Sequence, residues 1–269
     1  MKKFLITTVS IAAMAIAAPA FGQSVSTITQ SGANGADANV HQSGDVDTST
    51  ITQNTGGGGP FDHLTANVKQ SGDYNTSTLL QTGAGSSNAF VEQIGDSNTS
   101  YLEQDRVGDN ANVSQRGYNG YSYALQSGES ASAGDAGTVG VLQRASSQNA
   151  ESYLIQGGRR NSALVDQGGD SNLSTIRQNS GQLADHPDTT NTASATQTGS
   201  YNFSLIYQGE TNGLSSGNTA NLTQTGDSNQ SWITQNDDNN TANVTQAGYG
   251  DFSVVTQSGG NMNATVLQN

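Results

Sequence analysis

The sequence contains no cysteine, which excludes thiol nucleophiles, cysteine metal sites and stabilising disulfides. It is also poor in the residues from which cores are made. Hydrophobic residues are 32% of the 269, aromatics 6% and charged residues 12%, against a usual apolar share of about 45–50%. Composition alone describes a chain too polar to bury a core, so any order must come from arrangement. Beyond the N-terminal stretch the only prolines are Pro60 and Pro187. The one long apolar run, Phe4 to Ala18, is short for a membrane span. It follows Lys2 and Lys3 and precedes Ala18-Pro19-Ala20, the order of a secretory signal peptide and its cleavage site. The expectation is a signal peptide over residues 1–20 and one repeat domain over 21–269. Basic residues are scarce: 7 against 22 acidic ones lie after Ala20, a net charge of −15. That balance argues against nucleic acid or an anionic membrane as partner, and no other stretch approaches transmembrane length.

What the sequence does have is a repeat. Glutamine recurs as Gln30, Gln42, Gln53, Gln70, Gln81, Gln93, Gln104, Gln115, Gln126 and Gln143, then as Gln156, Gln167, Gln178, Gln197, Gln208, Gln224, Gln235, Gln246, Gln257 and Gln268. Twelve of the nineteen spacings are 11 residues and none is shorter, so one structural unit accounts for the whole domain. Two positions before glutamine stands an aliphatic residue (Ile28, Val40, Ile51, Val68, Leu79), with only Ala124 and Ala195 small. Four before stands Ser or Ala, Val139 excepted, and six before often Asn, as in Asn75, Asn98, Asn161 and Asn172. Period two puts these residues on one face of a β-strand. Glycine usually follows two after glutamine, where a tight turn needs positive φ.

The residue four before glutamine alternates between Ser and Ala along the chain, and Ser strands favour Ile or Leu where Ala strands favour Val. The true repeat is therefore two strands, about ten times over. The expected fold is an all-β solenoid of about ten two-strand rungs forming two stacked parallel sheets, with like side chains stacked as in cross-β assemblies. Buried amides are costly unless bonded, and the twenty glutamines satisfy one another as a structural ladder if each donates to the next rung. All long spacings but Gln143–Gln156 run from a Ser strand to an Ala strand, so nearly all insertions are expected on one edge of the rod, the two prolines among them. No capping helix or charged end-piece is legible, so both ends are expected to accept another copy.

Stretches such as Ala89-Phe-Val-Glu-Gln-Ile-Gly-Asp-Ser-Asn98 and Ala220-Asn-Leu-Thr-Gln-Thr-Gly-Asp-Ser-Asn229 resemble the curlin family, the repeat proteins of curli fibres on bacterial surfaces. The likeness extends over essentially the whole mature chain, which differs in having more repeats, several insertions and almost no segment before the first repeat. The resemblance implies secretion across the outer membrane by a dedicated apparatus, amyloid assembly at the cell surface with itself and other curlin-type subunits, and roles in adhesion and biofilm matrix.

Other constellations are weak. His63 and His186 stand in insertions near Asp62, Asp185 and Asp188, while His41 stands in a strand; no ligand spacing is convincing, and no cofactor is expected. Turn residues Asp73, Asp96, Asp170 and Asp227 suit backbone capping. Arg159-Arg160 reads as a solvated turn and Gly56 to Gly59 as a linker. Tyr101, Tyr123 and Tyr153 fall on three successive outward positions, either stacking across rungs or offering a stripe to carbohydrate. With acids scattered and no nucleophile–base pair, an enzyme is not expected. The alternative to a fibre subunit is a monomeric secreted solenoid that binds a repetitive surface such as polysaccharide or ice. The Thr27/Thr29 and Thr50/Thr52 array that would suit it does not persist to Tyr101/Glu103.

Overall fold

Alternation at period two, closed by glycine, builds twenty short strands. The computed structural model describes residues 23–32, 35–55, 63–83, 85–105, 107–127, 136–179, 190–209 and 216–269. Residues 1–20, both prolines, Gly56 to Gly59 and His186 lie outside that set. The odd strands are β1 (Val25–Gly32), β3 (Thr48–Thr55), β5 (Thr76–Thr82), β7 (Thr99–Gln104), β9 (Tyr121–Ser127), β11 (Glu151–Gly157), β13 (Leu173–Asn179), β15 (Phe203–Gln208), β17 (Gln230–Asn236) and β19 (Phe252–Ser258). The even strands are β2 (Ala36–Ser43), β4 (Leu64–Ser71), β6 (Ser87–Ile94), β8 (Asn110–Gln115), β10 (Thr138–Gln143), β12 (Ser162–Gly168), β14 (Thr192–Thr198), β16 (Thr219–Thr225), β18 (Thr241–Gln246) and β20 (Asn263–Gln268). Odd strands form one ten-stranded sheet and even strands a second, each in chain order. Every pairing is parallel and sets glutamine beside glutamine, for example Gln53 beside Gln81 and Gln70 beside Gln93. The fold is the expected all-β solenoid of two stacked parallel sheets.

The interior is one residue layer per sheet. The glutamine and the residues two and four before it are buried on almost every strand, while the positions between them face out. The aliphatic seam runs through Ile51, Leu79, Leu102, Leu154, Ile176, Ile206 and Ile233 on the first sheet, with Ala124 the one small residue between Leu102 and Leu154. Each buried Val, Leu or Ile contributes about 1.5–3 kcal/mol, which is how so few apolar residues suffice. On the end rungs Ile28, Val40, Ala264 and Val266 are only partly buried.

Facing strands run in opposite directions. Gln143, at the end of β10, donates to the carbonyl of Tyr121 at the start of β9. This crossing sets the aliphatic position of one sheet against the Ser/Ala position of the other. Ile or Leu therefore lies over Ala, and Val over Ser, which explains why the two alternations are linked. It also joins two exceptions: Ala124 on β9 lies opposite Val139 on β10, so the small residue and the large one have exchanged sheets.

The two edges of the rod differ. Connections from the second sheet to the first are mostly four-residue turns, such as Gly72–Asn75, Gly95–Asn98 and Gly226–Asn229. Their glycines stack so closely that a Cβ on Gly95 would strike the Gly117 carbonyl, and one on Gly226 the Gly248 carbonyl; both have φ near +100°. The third turn residue is left-handed whatever its type, as at Tyr74, Ser97 and Ser228. The insertions lie in connections from the first sheet to the second, and the longer turn after Gln143 lies on the opposite edge. No helix among the described residues is long and apolar enough to cross a membrane.

Amide columns as the candidate functional site

All twenty glutamines stand in two columns, one per sheet. In the first, Gln30 donates from Nε2 to Oε1 of Gln53, Gln53 to Gln81, Gln81 to Gln104, and so on to Gln257, at 2.8–3.1 Å. In the second, Gln42 donates to Gln70 and the series reaches Gln268, at 2.8–3.4 Å. Every bond points the same way along the rod. The second Nε2 hydrogen crosses the interior to a backbone carbonyl at the start of a facing strand, as from Gln70 to Thr48 and from Gln104 to Asn88. Both donors are thus used. The side chain ties rung to rung and sheet to sheet, which leucine at this position would not do. This cross-sheet bond is invisible in the sequence, because it depends on which strand faces which.

A second pair of columns stands at the strand entrances. Asn75 Oδ1 accepts the backbone N–H and Nδ2 of Asn98, and its own Nδ2 donates to the Gly95 carbonyl of the adjacent turn. The same chain links Asn172, Asn202 and Asn229, and on the second sheet Asn161, Asn191, Asn218 and Asn240. These columns stop in mid-rod, where Gly120, Ala150 and Gly137 take the asparagine's place.

Aspartate occupies this position three times, at Asp47, Asp109 and Asp251. Asp47 is buried, its Oδ1 accepts from both Asn75 nitrogens, and its Oδ2 has no partner. Burial raises its pKa, with the Asp73 and Asp45 carboxylates adding to the effect against the bonds from Asn75. The turn aspartates cap backbone, but across rungs: Asp73 accepts the Asp45 N–H, Asp96 that of Asp73, and Asp227 that of Ser200. Asp170 instead accepts from the side chains of Asn149 and Ser171.

The outer faces differ in chemistry. On the first sheet Tyr101 stacks on Tyr123 with ring centres 5.2 Å apart, Tyr123 meets Tyr153 at 6.5 Å, and Trp232 meets Phe252 edge-on at 5.3 Å. Tyr101 donates to Glu103, which pushes its pKa up to about 12. The second sheet carries ion pairs: Lys69 and Arg116 both reach Glu92, and Arg144 reaches Asp166. The hydrogen bonds from both cations hold the Glu92 carboxyl below its ordinary range, against the opposing effect of burial. The second sheet also carries Thr192 and Thr196, Thr219 and Thr223, and Thr241 and Thr245 on three successive rungs, threonine rows that a search confined to the first strands misses. A shallow depression of about 240 Å³ on this face is lined by Thr, Asn, Ala, Val and Phe, with no ionisable side chain. His41 and His63 are exposed. Among the described residues no three His, Asp or Glu side chains gather as metal ligands would. Arg159 and Arg160 lie in the turn after β11, with Arg160 at positive φ.

Residues 216–248, from the entrance of β16 to the end of β18, match the family described as the curlin associated repeat. A search of curated proteins finds no match.

Proposed function

We propose, from the match of residues 216–248 to the curlin associated repeat and the recurrence of the same strand unit along both sheets, that the chain is a secreted, non-enzymatic, curlin-type subunit of an extracellular amyloid-like fibre, growing by head-to-tail addition of copies. The observation that carries this reading is the single direction of both glutamine columns. Gln30 and Gln42 head them with Oε1 acceptors that no described donor reaches, and Gln257 and Gln268 close them with Nε2 groups holding one hydrogen each beyond their cross-sheet bonds. The first rung of a second copy supplies what the last rung of the first lacks, in the geometry already repeated nine times within the chain. Contacts that do not close on themselves make a filament. A signal peptide over residues 1–20, export through an outer-membrane apparatus, other curlin-type subunits as partners, and a role in adhesion and biofilm matrix belong to the same proposal.

The test is fibre diffraction on the chain from Phe21, diluted from denaturant and incubated. Filaments with a meridional spacing of about 4.7 Å are expected. A β-rich monomer that forms no filaments at high concentration would sink the reading. The threonine rows on β14, β16 and β18 favour a second one, in which a monomeric solenoid binds a repetitive surface. That reading predicts retention of the monomer on ice or insoluble polysaccharide, abolished by Thr219→Val with Thr241→Val.

A further inference from the structure

The two outer faces differ in a way that head-to-tail growth does not use. On the seven strands β7 to β19, thirteen of the twenty-one outward positions of the first sheet hold Tyr, Trp, Phe, Leu, Ile or Val. On β8 to β20 of the second sheet, only Leu142, Leu164 and Leu267 do. There the corresponding rows are Asn, Ser and Thr, partly bonded along the column, as Asn221 is to Asn243. In a filament the apolar rows would repeat in every subunit. Contiguous exposed apolar surface on a soluble protein marks a binding face.

We propose that this first-sheet face docks a second copy of the chain, pairing two rods side by side with their odd sheets in contact. Three features favour a copy over another partner. The face extends about 34 Å along the rod and about 20 Å across it, roughly 700 Å² per copy and about 1,400 Å² in total, from strand spacing and rise; stable interfaces bury about 1,200–2,000 Å². Its side chains recur at the rung spacing, and a second copy recurs at the same spacing, so a fit made at one rung holds at all of them, as between paired cross-β sheets. Its charges nearly cancel: Glu103, Glu151 and Arg177 are the charged outward residues of these seven strands, a net of −1 on a chain of −13. Like faces therefore meet with little repulsion. With the two-fold axis along the rod, each central outward residue faces its own copy. Thr175 meets Thr175 of the other copy, Phe203 meets Tyr207, and Glu151 falls one rung from Arg177. Growth of the two rods then proceeds in the same direction.

The inference concerns a face, whereas the fibre reading concerns the ends, so the two fail separately. The chain has a single tryptophan, Trp232, 41% exposed on the proposed face. The experiment compares the chain from Phe21 with its Tyr123→Lys/Leu205→Lys variant, by acrylamide quenching of Trp232 and by mass per unit length in scanning transmission microscopy. The expected result is filaments of twice the single-rod mass per length with Trp232 shielded. The variant is expected to form filaments of half that mass per length with Trp232 quenched several-fold more strongly. Introduced into this cysteine-free chain, Thr175→Cys should cross-link to its own kind through a bismaleimide spanning about 10 Å, the distance between packed sheets, and Ser194→Cys on the second sheet should not. Filaments of single-rod mass with Trp232 open to quencher overturn the pairing and leave the fibre reading standing. If no filament forms, a sedimenting dimer with shielded Trp232 supports the pairing and a monomer with open Trp232 overturns it. Shielding that arises only on adding a soluble glucan reassigns the face to carbohydrate and likewise overturns it.

Discussion

Asp47 sits where the next two rungs of its sheet carry Asn75 and Asn98. Its Oδ1 does what the Asn75 Oδ1 does, so its Oδ2 takes the place of an Nδ2, which in Asn75 and Asn98 donates to a glycine carbonyl of the next turn. A carboxylate has no hydrogen to give there, and an unpartnered buried polar atom costs about 1–3 kcal/mol. A proton on Oδ2 restores the missing donor. Its folded pKa is raised above the unfolded 3.8, so the stability linked to this group is fully present below about 3.8 and is lost as pH rises through the raised value. Asp47→Asn should therefore stabilise the fold at pH 7 by about 1–3 kcal/mol, with the gain shrinking toward pH 4, as read from denaturant midpoints at the two pH values. Glu92 has the opposite sign. Its lowered pKa gives stability present above its unfolded value and lost on acidification, so Glu92→Gln should cost most at neutral pH. The interior serines make a different point. Ser49, Ser77, Ser100, Ser122 and Ser152 have buried hydroxyls without partners, whereas Ser204 donates to Ser174. Ser100→Ala should be neutral or mildly stabilising. Gln104→Ala, four residues further along the same strand in the same buried layer, removes the ladder bond that Gln81 donates and leaves the Gln126 Oε1 without its donor, and should cost about 2–4 kcal/mol for the two lost buried bonds.

Among the elements, the strands were more legible than their connections to one another. Period two and the Ser/Ala alternation identify strand, sheet and rung, because each is a repetition along the chain. What crosses between sheets leaves no period. The cross-sheet glutamine bond and the pairing of Ala124 with Val139 both depend on the antiparallel facing of β9 and β10. The aromatic face was only partly legible for a similar reason: Tyr101, Tyr123 and Tyr153 share one register position, whereas Tyr121, Phe203, Tyr207 and Phe252 reach the same face from the flanking positions. The Ala124–Val139 exchange can be tested as a cycle. Val139→Ala alone should cost about 1–3 kcal/mol as a cavity, and Ala124→Leu alone should cost about as much by overpacking. The double variant, which restores the common pattern, should recover most of both losses, giving a coupling energy of opposite sign to the single effects. The same region is where the asparagine columns stop and the glutamine bonds are longest, 3.1 Å from Gln126 to Gln156 and 3.4 Å from Gln143 to Gln167. Amide exchange under native conditions should therefore be fastest among the interior strands at β9 to β12. Uniform protection along the rod would contradict that assignment.

At the scale of the whole molecule, the direction of the glutamine columns makes the two ends chemically different, and this permits a test that alters one end only. In Gln257→Glu/Gln268→Glu each new carboxylate still accepts the bonds from Gln235 and Gln246, so the ladder within the chain survives. What is lost are the two Nε2 donors, with their bonds to the Thr241 and Phe252 carbonyls, and two carboxylates now face the carbonyl oxygens of an incoming first rung. The variant should remain unpolymerised by itself at pH 7, since every junction would join one of its last rungs to a first rung. Its own first rung is intact, so it should add to the last-rung end of wild-type filaments and stop growth there, leaving the opposite end free to extend. Two-colour fluorescence microscopy of labelled seeds reads this directly, as extension at both ends before treatment and at one end after it. Acidification below about 4.3, the ordinary glutamate pKa, protonates the new carboxyls and returns a donor to each, so growth of the variant should resume. The charge lost elsewhere on the chain is common to wild type and variant and cancels in the comparison. Seeds that extend equally at both ends after treatment would mean that the glutamine columns do not form the junction between subunits.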